Sequence, residues 1–290
     1  MTLGVLVMAY GTPRTPADIE PYYTHIRRGR APTPELLAEL TARYEALGGV
    51  SPLAQRTEAQ RAAIEAALPA GTLVRLGQKH AAPFVEDGLA ALADEGADVV
   101  VGLVLAPHFS GFSVGQYHER AASTAAERAV DYRRIDDWSD LDAWVDFQAA
   151  AVNEQLADLP DGSTVLFTAH SLPERVLEGD PYPDVLTASA AAIADRAGLD
   201  GWALAWQSAG RTPEPWRGPD ILEVIDGLEA PGLLVCAQGF TSDHLEILYD
   251  LDLEAAARAE ARYIAFARTR SVNADPTVMA GLAGLVLDLA

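Results

Sequence analysis

Short apolar runs alternate with longer amphipathic segments along this chain. The runs are apolar at consecutive positions and rich in Val and Leu, which predicts strands buried on both faces of a parallel sheet. They are Leu3–Met8, Thr72–Leu76, Val99–Leu105, Thr164–Thr168, Trp202–Trp206 and Leu233–Ala237. The alternation of such strands with helical segments predicts an α/β fold with parallel sheets and right-handed crossovers.

Capping residues mark where several of the helices begin. A Thr or Ser followed by Pro is typical of a helix N-terminus, because the side chain caps the helix and Pro suits its first position. Such pairs stand at Thr15-Pro16, Thr33-Pro34 and Ser51-Pro52. Gly29 and Gly48-Gly49 are suited to end the first two helices. The last segment, 276–290, is predicted to be a closing helix.

The chain contains an internal duplication. GVLVMAYGTP near the N-terminus aligns with TVLFTAHSLP in the middle, which places Tyr10 and His170 in equivalent positions at an offset of 160. A second pair, VLAPHFSGF and VCAQGFTSD, aligns Phe109 with Phe240 at an offset of 131. We therefore expect two similar domains that differ in their insertions.

The segment RRIDDWSDLDAW has the composition of a polar connector between these domains. We place the domains at residues 1–138 and 139–275, followed by the closing helix 276–290. Ligands of open parallel sheets bind beyond the carboxyl ends of the strands. Tyr10 and His170 both follow predicted strands, so we expect them to face each other across one cleft.

Composition and charge exclude several classes of function. The 290 residues carry a formal net charge of −21, which repels nucleic acid and anionic membranes. A single cysteine, Cys236, excludes a disulfide framework and any four-cysteine metal or iron–sulfur site within one chain. We expect a soluble cytoplasmic protein, because no apolar run approaches the roughly 20 residues of a membrane span and no basic flank marks a secretory signal. No nucleotide-binding glycine motif or P-loop is present.

His170 is the first candidate for chemistry. A histidine at the end of a buried strand can bind a metal ion or act as a base near neutral pH. The alternative is a structural histidine whose ring is hydrogen-bonded to backbone groups.

An acidic stripe is the second candidate. In DHLEILYDLDLE, residues Glu246, Asp250 and Glu254 recur every four positions, about 6 Å apart along a helix. Carboxylates at this spacing repel each other, and a bound cation would offset the repulsion. Two alternatives remain: Asp243 and Glu246 have the spacing of a capping box, and the stripe could be a solvated acidic face.

Together, His170 and Glu246 suit a divalent ion of intermediate softness such as Fe(II). Two protein ligands form an incomplete metal site, which favours a protein that transfers its metal over one that keeps it.

A local basic cluster lies in HIRRGR, where Arg27, Arg28 and Arg30 stand close together. Arginine pairs with carboxylates and phosphates through two donors. With aromatic residues such as Tyr117, the cluster suggests a flat anionic aromatic ligand. The alternatives are surface ion pairs for the arginines and core packing for the aromatics.

These segments resemble the ferrochelatases, and among them the coproporphyrin ferrochelatases of bacteria. The resemblance extends in order over nearly the whole chain. The segments that carry it are LVMAYGTP, YYTHIRRGR, RYEALGGVSPLAQRT, LGQKHAAPF, LAPHFSGFSVGQY, TAHSLPERVLEGDPYP, WQSAGRTPEPWRGPD and GFTSDHLEILYDLDLE.

The resemblance implies two Rossmann-like, chelatase-type domains, each with a parallel four-stranded sheet, facing a porphyrin cleft. It implies insertion of ferrous iron into a porphyrin with release of two protons. His170 and Glu246 correspond to the family's metal-binding and catalytic pair. Tyr10 corresponds to an axial contact to the porphyrin iron, and Asp250 and Glu254 to an outer relay for metal or protons.

The porphyrin-binding positions of the family fall on Tyr10, Arg27, Arg43, Tyr44, Ser51 and Tyr117. The tyrosine in AYGTP favours coproporphyrin III as substrate. The alternatives are protoporphyrin IX or a non-catalytic tetrapyrrole or haem carrier. Lys79 and His80 lie near the cleft by analogy, without an assigned role.

The resemblance also bears on cofactors and partners. Some family members carry an iron–sulfur cluster on C-terminal cysteines, and we expect none here because Cys236 stands alone. We expect no tightly bound cofactor, ferrous iron as a substrate, no membrane anchor and a monomer. An enzyme of the haem pathway is a possible acceptor of the product.

Overall fold

A computed structural model describes residues 2–290 and contains two four-stranded sheets. The strands are β1 (Leu3–Ala9), β2 (Leu73–Gln78), β3 (Val99–Val104), β4 (Asp131–Ile135), β5 (Thr164–His170), β6 (Ala203–Gln207), β7 (Gly232–Cys236) and β8 (Ala265–Arg268). The first six helices are α1 (Ile19–Ile26), α2 (Pro34–Ala46), α3 (Leu53–Ala67), α4 (Val85–Asp94), α5 (Gln116–Arg128) and α6 (Asp142–Leu156). The others are α7 (Glu174–Leu177), α8 (Tyr182–Ala197), α9 (Ile221–Gly227), α10 (Leu245–Leu248), α11 (Ala256–Ala261) and α12 (Pro276–Asp288).

The two sheets have the same topology. Their strand orders are β2-β1-β3-β4 and β6-β5-β7-β8, and every pairing between these strands is parallel. The central strands β1 and β5 are buried along most of their length, as continuous apolar runs require. The predicted α/β duplication is confirmed, and Tyr10 and His170 lie at equivalent ends of the two central strands.

The apolar runs located six of the eight strands. The edge strands β4 and β8 were missed, because neither is a buried apolar run. Strand β4 is DYRRI, which is partly exposed along its length, and β8 is AFAR, in which no residue is fully buried. An edge strand pairs on one side only, so its sequence does not need to be apolar throughout.

The capping signals identified their helices. Thr33 accepts a hydrogen bond from the backbone of Leu36 at the start of α2, and α12 begins as predicted. Helix α3 begins one residue later than predicted, because Pro52 lies at its N-cap, and the Ser51 hydroxyl accepts from the backbone of Leu53 at 3.2 Å.

The first helix differs, because a 3-10 turn at Pro16–Asp18 precedes α1. The Thr15 side chain forms no cap hydrogen bond there. The Asp18 carboxylate instead reaches back and accepts from the Thr15 backbone N–H at 2.9 Å and from the Thr15 hydroxyl at 2.8 Å.

The predicted connector is more buried than its composition indicated. The Trp138 and Trp144 side chains are almost fully buried and pack edge to face at 5.3 Å. The Trp138 indole donates to the carbonyl of Val104 at 2.9 Å. Both tryptophans belong to one hydrophobic cluster that includes Val5 of the first sheet and Phe167 of the second. The two halves therefore share a core, and the boundary at residue 138 stays a prediction.

Helix α12 completes this shared core by packing against α3 and α6. Within residues 2–290, none of the helices combines the length and the apolar character needed to cross a bilayer.

Two glycines allow α4 to approach β2 closely. A Cβ at Gly88 would lie 2.6 Å from the carbonyl oxygen of Leu76, and one at Gly77 would lie 2.8 Å from the Cα of Val85. These contacts are too short for side chains. The orientation of α4 on the first sheet therefore depends on both glycines.

We predict that Gly88→Ala lowers the free energy of unfolding by about 1–3 kcal/mol, because the added methyl group meets backbone atoms that cannot move aside. The measurement is chemical denaturation. Gly284→Ala is the matched control, since Gly284 lies in α12 and a Cβ added there would have no neighbouring atom within 4 Å. That variant should gain stability by up to about 1 kcal/mol from helix propensity. Equal stabilisation of both variants would contradict the close approach.

Candidate active site

A large cavity of about 1310 Å³ lies between the two halves. Its walls include residues at the carboxyl ends of β1, β3, β5 and β6, where ligands of parallel sheets bind. Nearly all of the predicted site residues line it: Tyr10, Arg43, Tyr44, Ser51, Tyr117, His170, Glu246, Asp250 and Glu254. The parallel topology thus brings side chains from distant parts of the sequence into one place.

The Glu246 carboxylate lies between two imidazoles. His170 Nε2 is 3.5 Å from Glu246 Oε1, and His244 Nε2 is 3.4 Å from Glu246 Oε2. The Nδ1 atom of His170 contacts the carbonyl of Ser171, and that of His244 contacts the carbonyl of Ser242. A carbonyl can only accept, so each Nδ1 is a donor and each Nε2 is directed to the carboxylate.

The electrostatics of this pair favour an imidazolium–carboxylate state. Burial is the largest single influence on His170 and alone would lower its pKa. The charge and hydrogen bond of Glu246, with the Ser171 carbonyl and the charge of Asp250, together outweigh burial and raise the pKa to about 9. Burial alone would raise the pKa of Glu246, and the His170 charge with hydrogen bonds from His170 and His244 holds it well below its usual range. A positive partner is thus already present at Glu246 before any ligand binds.

His244 is a site residue that the sequence patterns did not identify. It adopts an extended backbone conformation, with φ −154° and ψ −176°, immediately before α10. That conformation allows its ring to reach back to Glu246, two residues later. The spacing His-x-Glu was visible in the DHLE segment, but the prediction placed this segment inside a helix, where such residues do not face each other.

The capping-box alternative for Glu246 is wrong. Asp243 instead accepts from Ser271 Oγ and Asn273 Nδ2, both at 2.9 Å, and from Arg268 Nη2 at 3.3 Å. The Glu246 carboxylate contacts the two histidines and not the Asp243 backbone. Asp243 therefore anchors the loop before α10 to the strand β8 region.

The acidic stripe is formed by an irregular helix. Helix α10 is only four residues long, and a π-helical turn, Asp250–Ala255, follows it. A π-helix has a wider turn than the regular helix that the spacing predicted, and such turns are frequent at functional sites. The exposed fraction of the side chain is 33% for Glu246, 8% for Asp250 and 39% for Glu254. A wholly solvated acidic face is excluded by the burial of Asp250.

Asp250 is held by groups from both halves. Arg43 Nη1 donates to Asp250 Oδ1 at 3.1 Å, and Ser208 Oγ donates to Oδ2 at 2.5 Å. Burial and the charge of Glu246 raise the pKa of Asp250 to about 6 despite these partners. Among residues 2–290, no three side chains of the His, Cys, Asp or Glu type are grouped so that they could hold a metal ion.

Tyr10 lies on the opposite wall of the cavity, directly after β1. Its side chain is open to the cavity and yet surrounded by protein atoms, so burial, followed by the charge of Glu246, raises its pKa and keeps the phenol neutral. The His80 ring lies 4.6 Å from the Tyr10 ring, and His80 Nδ1 is 3.0 Å from His25 Nδ1. Burial lowers the pKa of His80 to about 3, so its ring is neutral.

One predicted porphyrin-binding residue lies elsewhere. Among the described residues, Arg28 lines the cavity and Arg27 does not. The Arg27 guanidinium instead stacks over the Tyr23 ring at 5.6 Å. The role of Arg27 stays a prediction, and Arg28 is the residue of the basic cluster that the cavity exposes.

Lys79 supplies a further cation to the cavity. Its Nζ lies 5.0 Å above the Tyr117 ring, and within residues 2–290 it forms no ion pair. Burial, followed by the neighbouring charges of Arg120 and Arg28, lowers the pKa of Lys79 to about 8. Arg120 is itself paired with Glu86 at 2.6 Å. A cation held in this way is suited to bind an anionic group of a ligand.

Comparisons with known proteins agree with this geometry. The family model described as Ferrochelatase matches residues 2–289. A protein of Halalkalibacterium halodurans named coproporphyrin III ferrochelatase is 43% identical over 297 residues, which cover 98% of this chain and 96% of that protein. A protein of Bacillus subtilis with the same name is 42% identical and covers 98% of this chain and 97% of its own length.

Solved structures support the fold alone, because their sequence identity is low. The sirohydrochlorin chelatase SirB of Bacillus subtilis subspecies spizizenii, in complex with cobalt, superposes with a TM-score of 0.64 at 13% identity, covering 100% of this chain and 96% of that one. CbiX, described as the terminal enzyme for biosynthesis of siroheme in denitrifying bacteria, gives a TM-score of 0.56 at 16% identity over 99% of each chain. From the family match over nearly its full length and the relatives above 40% identity, this chain belongs to the ferrochelatase family.

Proposed function

We propose that this protein inserts ferrous iron into coproporphyrin III and releases two protons. The observation that carries the proposal is the Glu246 carboxylate between His170 and His244, in a cavity whose opposite wall presents Tyr10. The relatives named coproporphyrin III ferrochelatase support the same conclusion.

The charges of His170 and Glu246 determine the order in which the metal ion binds and protons are transferred. Before a ligand binds, His170 is protonated, because the negative charge of Glu246 stabilises its imidazolium form. In this form its Nε2 atom can neither bind a metal ion nor accept a proton. A divalent ion that reaches Glu246 neutralises the carboxylate and removes the group that raised the His170 pKa. His170 then loses its proton and becomes a base for a pyrrole N–H of the macrocycle. The metal ion thus activates its own proton acceptor.

The cations of the cavity suit a substrate with several carboxylates. Lys79 and Arg28 line the wall on the Tyr10 side, and neither has a carboxylate partner in the described part of the chain. Coproporphyrin carries four propionates, whereas protoporphyrin carries two. A propionate at Lys79 recovers part of the free energy that the half-buried ammonium loses on burial, and one at the exposed Arg28 gains two paired hydrogen bonds. This favours coproporphyrin III over protoporphyrin IX.

The proposed enzyme needs no tightly bound group and works as a single chain in the cytoplasm. We propose that ferrous iron is a substrate, that no cofactor is tightly bound and that no iron–sulfur cluster is present, since the only cysteine is the buried Cys236. We also propose a cytoplasmic monomer that passes its product to a later enzyme of haem synthesis.

We predict that Glu246→Gln and His170→Ala each reduce kcat for iron insertion by at least about 100-fold, because each removes a group that exchanges protons or metal at the macrocycle. The measurement is porphyrin absorbance under anaerobic conditions with ferrous iron. Coproporphyrin III should be metallated faster than protoporphyrin IX.

Glu45→Gln is the matched control, because Glu45 is exposed on α2 and does not line the cavity. It should keep the wild-type rate. Faster insertion into protoporphyrin would overturn the choice of substrate and keep the chemistry. Tight porphyrin binding with no insertion of either substrate would instead support a carrier.

The pKa of Lys79 predicts how substrate binding depends on pH. A carboxylate at the ammonium raises its pKa above the value of about 8 that it has without a ligand, so binding takes up a proton above that pH. The affinity for coproporphyrin III should therefore fall as pH rises from 7.5 to about 9. In Lys79→Met this part of the pH dependence should disappear.

Lys79 is the only lysine in the chain, so reductive methylation with ¹³C-formaldehyde labels it and the α-amino group alone. NMR titration then measures its pKa directly, with the α-amino signal as an internal control. An upward shift of the Lys79 pKa with coproporphyrin III is expected. An unchanged pKa would show that Lys79 does not contact a propionate.

A further inference from the structure

The loop before α10 is tied to the N-terminal half by two buried hydroxyl groups. Thr241 Oγ1 donates to the carbonyl of Leu105 at 3.1 Å, and Ser242 Oγ donates to Gln60 Oε1 at 2.9 Å. Leu105 follows β3 and Gln60 belongs to α3, so both acceptors lie in the first half of the chain. The loop is therefore held by the half of the molecule opposite to its own.

Gln60 uses both ends of its amide in this contact. Its Oε1 atom accepts from Ser242, and its Nε2 atom donates to the backbone carbonyl of Asn273 at 3.0 Å. A carbonyl can only accept, so one orientation of the amide satisfies both partners. Gln60 is 1% exposed, so bulk water cannot replace either hydrogen bond if the amide is removed.

Asn273 holds the other side of the same loop. Its backbone N–H donates to the carbonyl of Thr241 at 2.7 Å, and its Oδ1 atom accepts from the Asp243 N–H at 3.0 Å. Its φ of +47° lies in the left-handed region, where Asn is more common than most residues. The loop from Thr241 to Asp243 is thus fixed by both halves of the molecule.

The fixed loop sets the direction of the His244 ring. The carbonyl of Ser242 accepts from His244 Nδ1 at 3.0 Å, which leaves Nε2 directed to Glu246. Ser242 supplies both the hydroxyl that binds Gln60 and the carbonyl that binds His244, so a displacement of this residue moves the ring. A continuous series of contacts therefore joins Gln60 in α3 to the Glu246 carboxylate.

We propose that Gln60 is a positioning residue for iron insertion, which holds His244, and through it Glu246, from the opposite half of the molecule. This inference rests on the proposed function, because it takes Glu246 as a group that exchanges metal ions or protons. A direct contact with the macrocycle is the competing role, because Gln60 also lines the cavity. Positioning affects kcat, whereas a contact made equally in the bound state and the transition state affects KM.

The first measurement compares Gln60→Met with the wild-type protein. Met has a similar length and shape and lacks the strong donor and acceptor of the amide, so both hydrogen bonds are lost with little change in packing. We expect kcat for iron insertion into coproporphyrin III to fall about 10-fold, while KM for the porphyrin changes by less than about twofold. Gln55→Met is the matched control on α3, because Gln55 is exposed and does not line the cavity, and it should keep both values.

A double-mutant cycle tests whether Gln60 acts through Ser242. Ser242→Ala removes the hydroxyl and keeps the backbone carbonyl, and it should lower kcat by a similar factor. The double variant should be no slower than the slower single variant, because both substitutions remove the same contact. Independent effects that multiply in the double variant would contradict this link.

Histidine ¹⁵N NMR separates positioning from a loss of stability. The ring nitrogens of His244 report which atom carries the hydrogen and what accepts it, so their signals should shift in Gln60→Met. The signals of His118 should not, because its ring contacts Tyr132 and the carbonyl of Ile135 in the first half of the chain. A merely destabilised protein keeps the same contacts in its folded molecules and therefore the same His244 signals.

The inference is overturned if Gln60→Met keeps the wild-type kcat, if it changes KM alone, or if the His244 signals do not move. If Gln60→Met does not fold, Ser242→Ala undergoes the same kinetic and NMR tests. A wild-type protein that inserts iron no faster than Gln60→Met refutes positioning and leaves the chelatase function standing. A wild-type protein that inserts no iron refutes the proposed function, and the His244 signals then decide alone whether Gln60 holds this histidine.

Discussion

Strands β1 and β5 are buried on both faces, and the positions of Tyr10 and His170 follow from this constraint. Strands β1 and β5 each pair with two parallel neighbours and are covered by helices, so the chain between their ends has no free polar surface. Only the residue at the carboxyl end of each strand can be both fixed in place and open to a ligand. Tyr10 and His170 occupy these two positions, and the duplication of the fold places them on opposite walls of one cavity.

The same constraint explains which parts of the structure could be predicted. A strand buried on both faces must be apolar at every position, so β1, β3, β5 and β7 stand out in the sequence. Strands β2 and β6 are also edge strands, but their runs are apolar enough to be located. Strands β4 and β8 use the freedom of an edge for polar residues, such as Asp131 and Arg133 in β4, and they were missed. The tryptophans of the connector were misjudged for a related reason. Their acidic neighbours dominate the composition of the segment, while Trp138 and Trp144 decide its burial.

The candidate site was predictable as a list of residues and not as a set of contacts. The family motifs located His170 and Glu246, and the spacing pointed to Asp250 and Glu254. The contacts that give these residues their properties join distant parts of the chain, as Arg43 and Asp250 do across 207 positions. The backbone that presents them is also irregular, since an extended His244 precedes a four-residue helix and a π-helical turn. Neither feature has a periodic signature in the sequence.

The core shared by the two halves has a mechanical consequence. Trp138 and Trp144 pack with residues of both sheets, and α12 closes the same cluster. Widening the cleft by separating the sheets would expose this apolar surface to water, at a cost of roughly 25 cal/mol for each Å². The walls that carry Tyr10 and His170 therefore resist being moved apart. We therefore expect a planar aromatic ring bound between these walls to deform more easily than the walls separate.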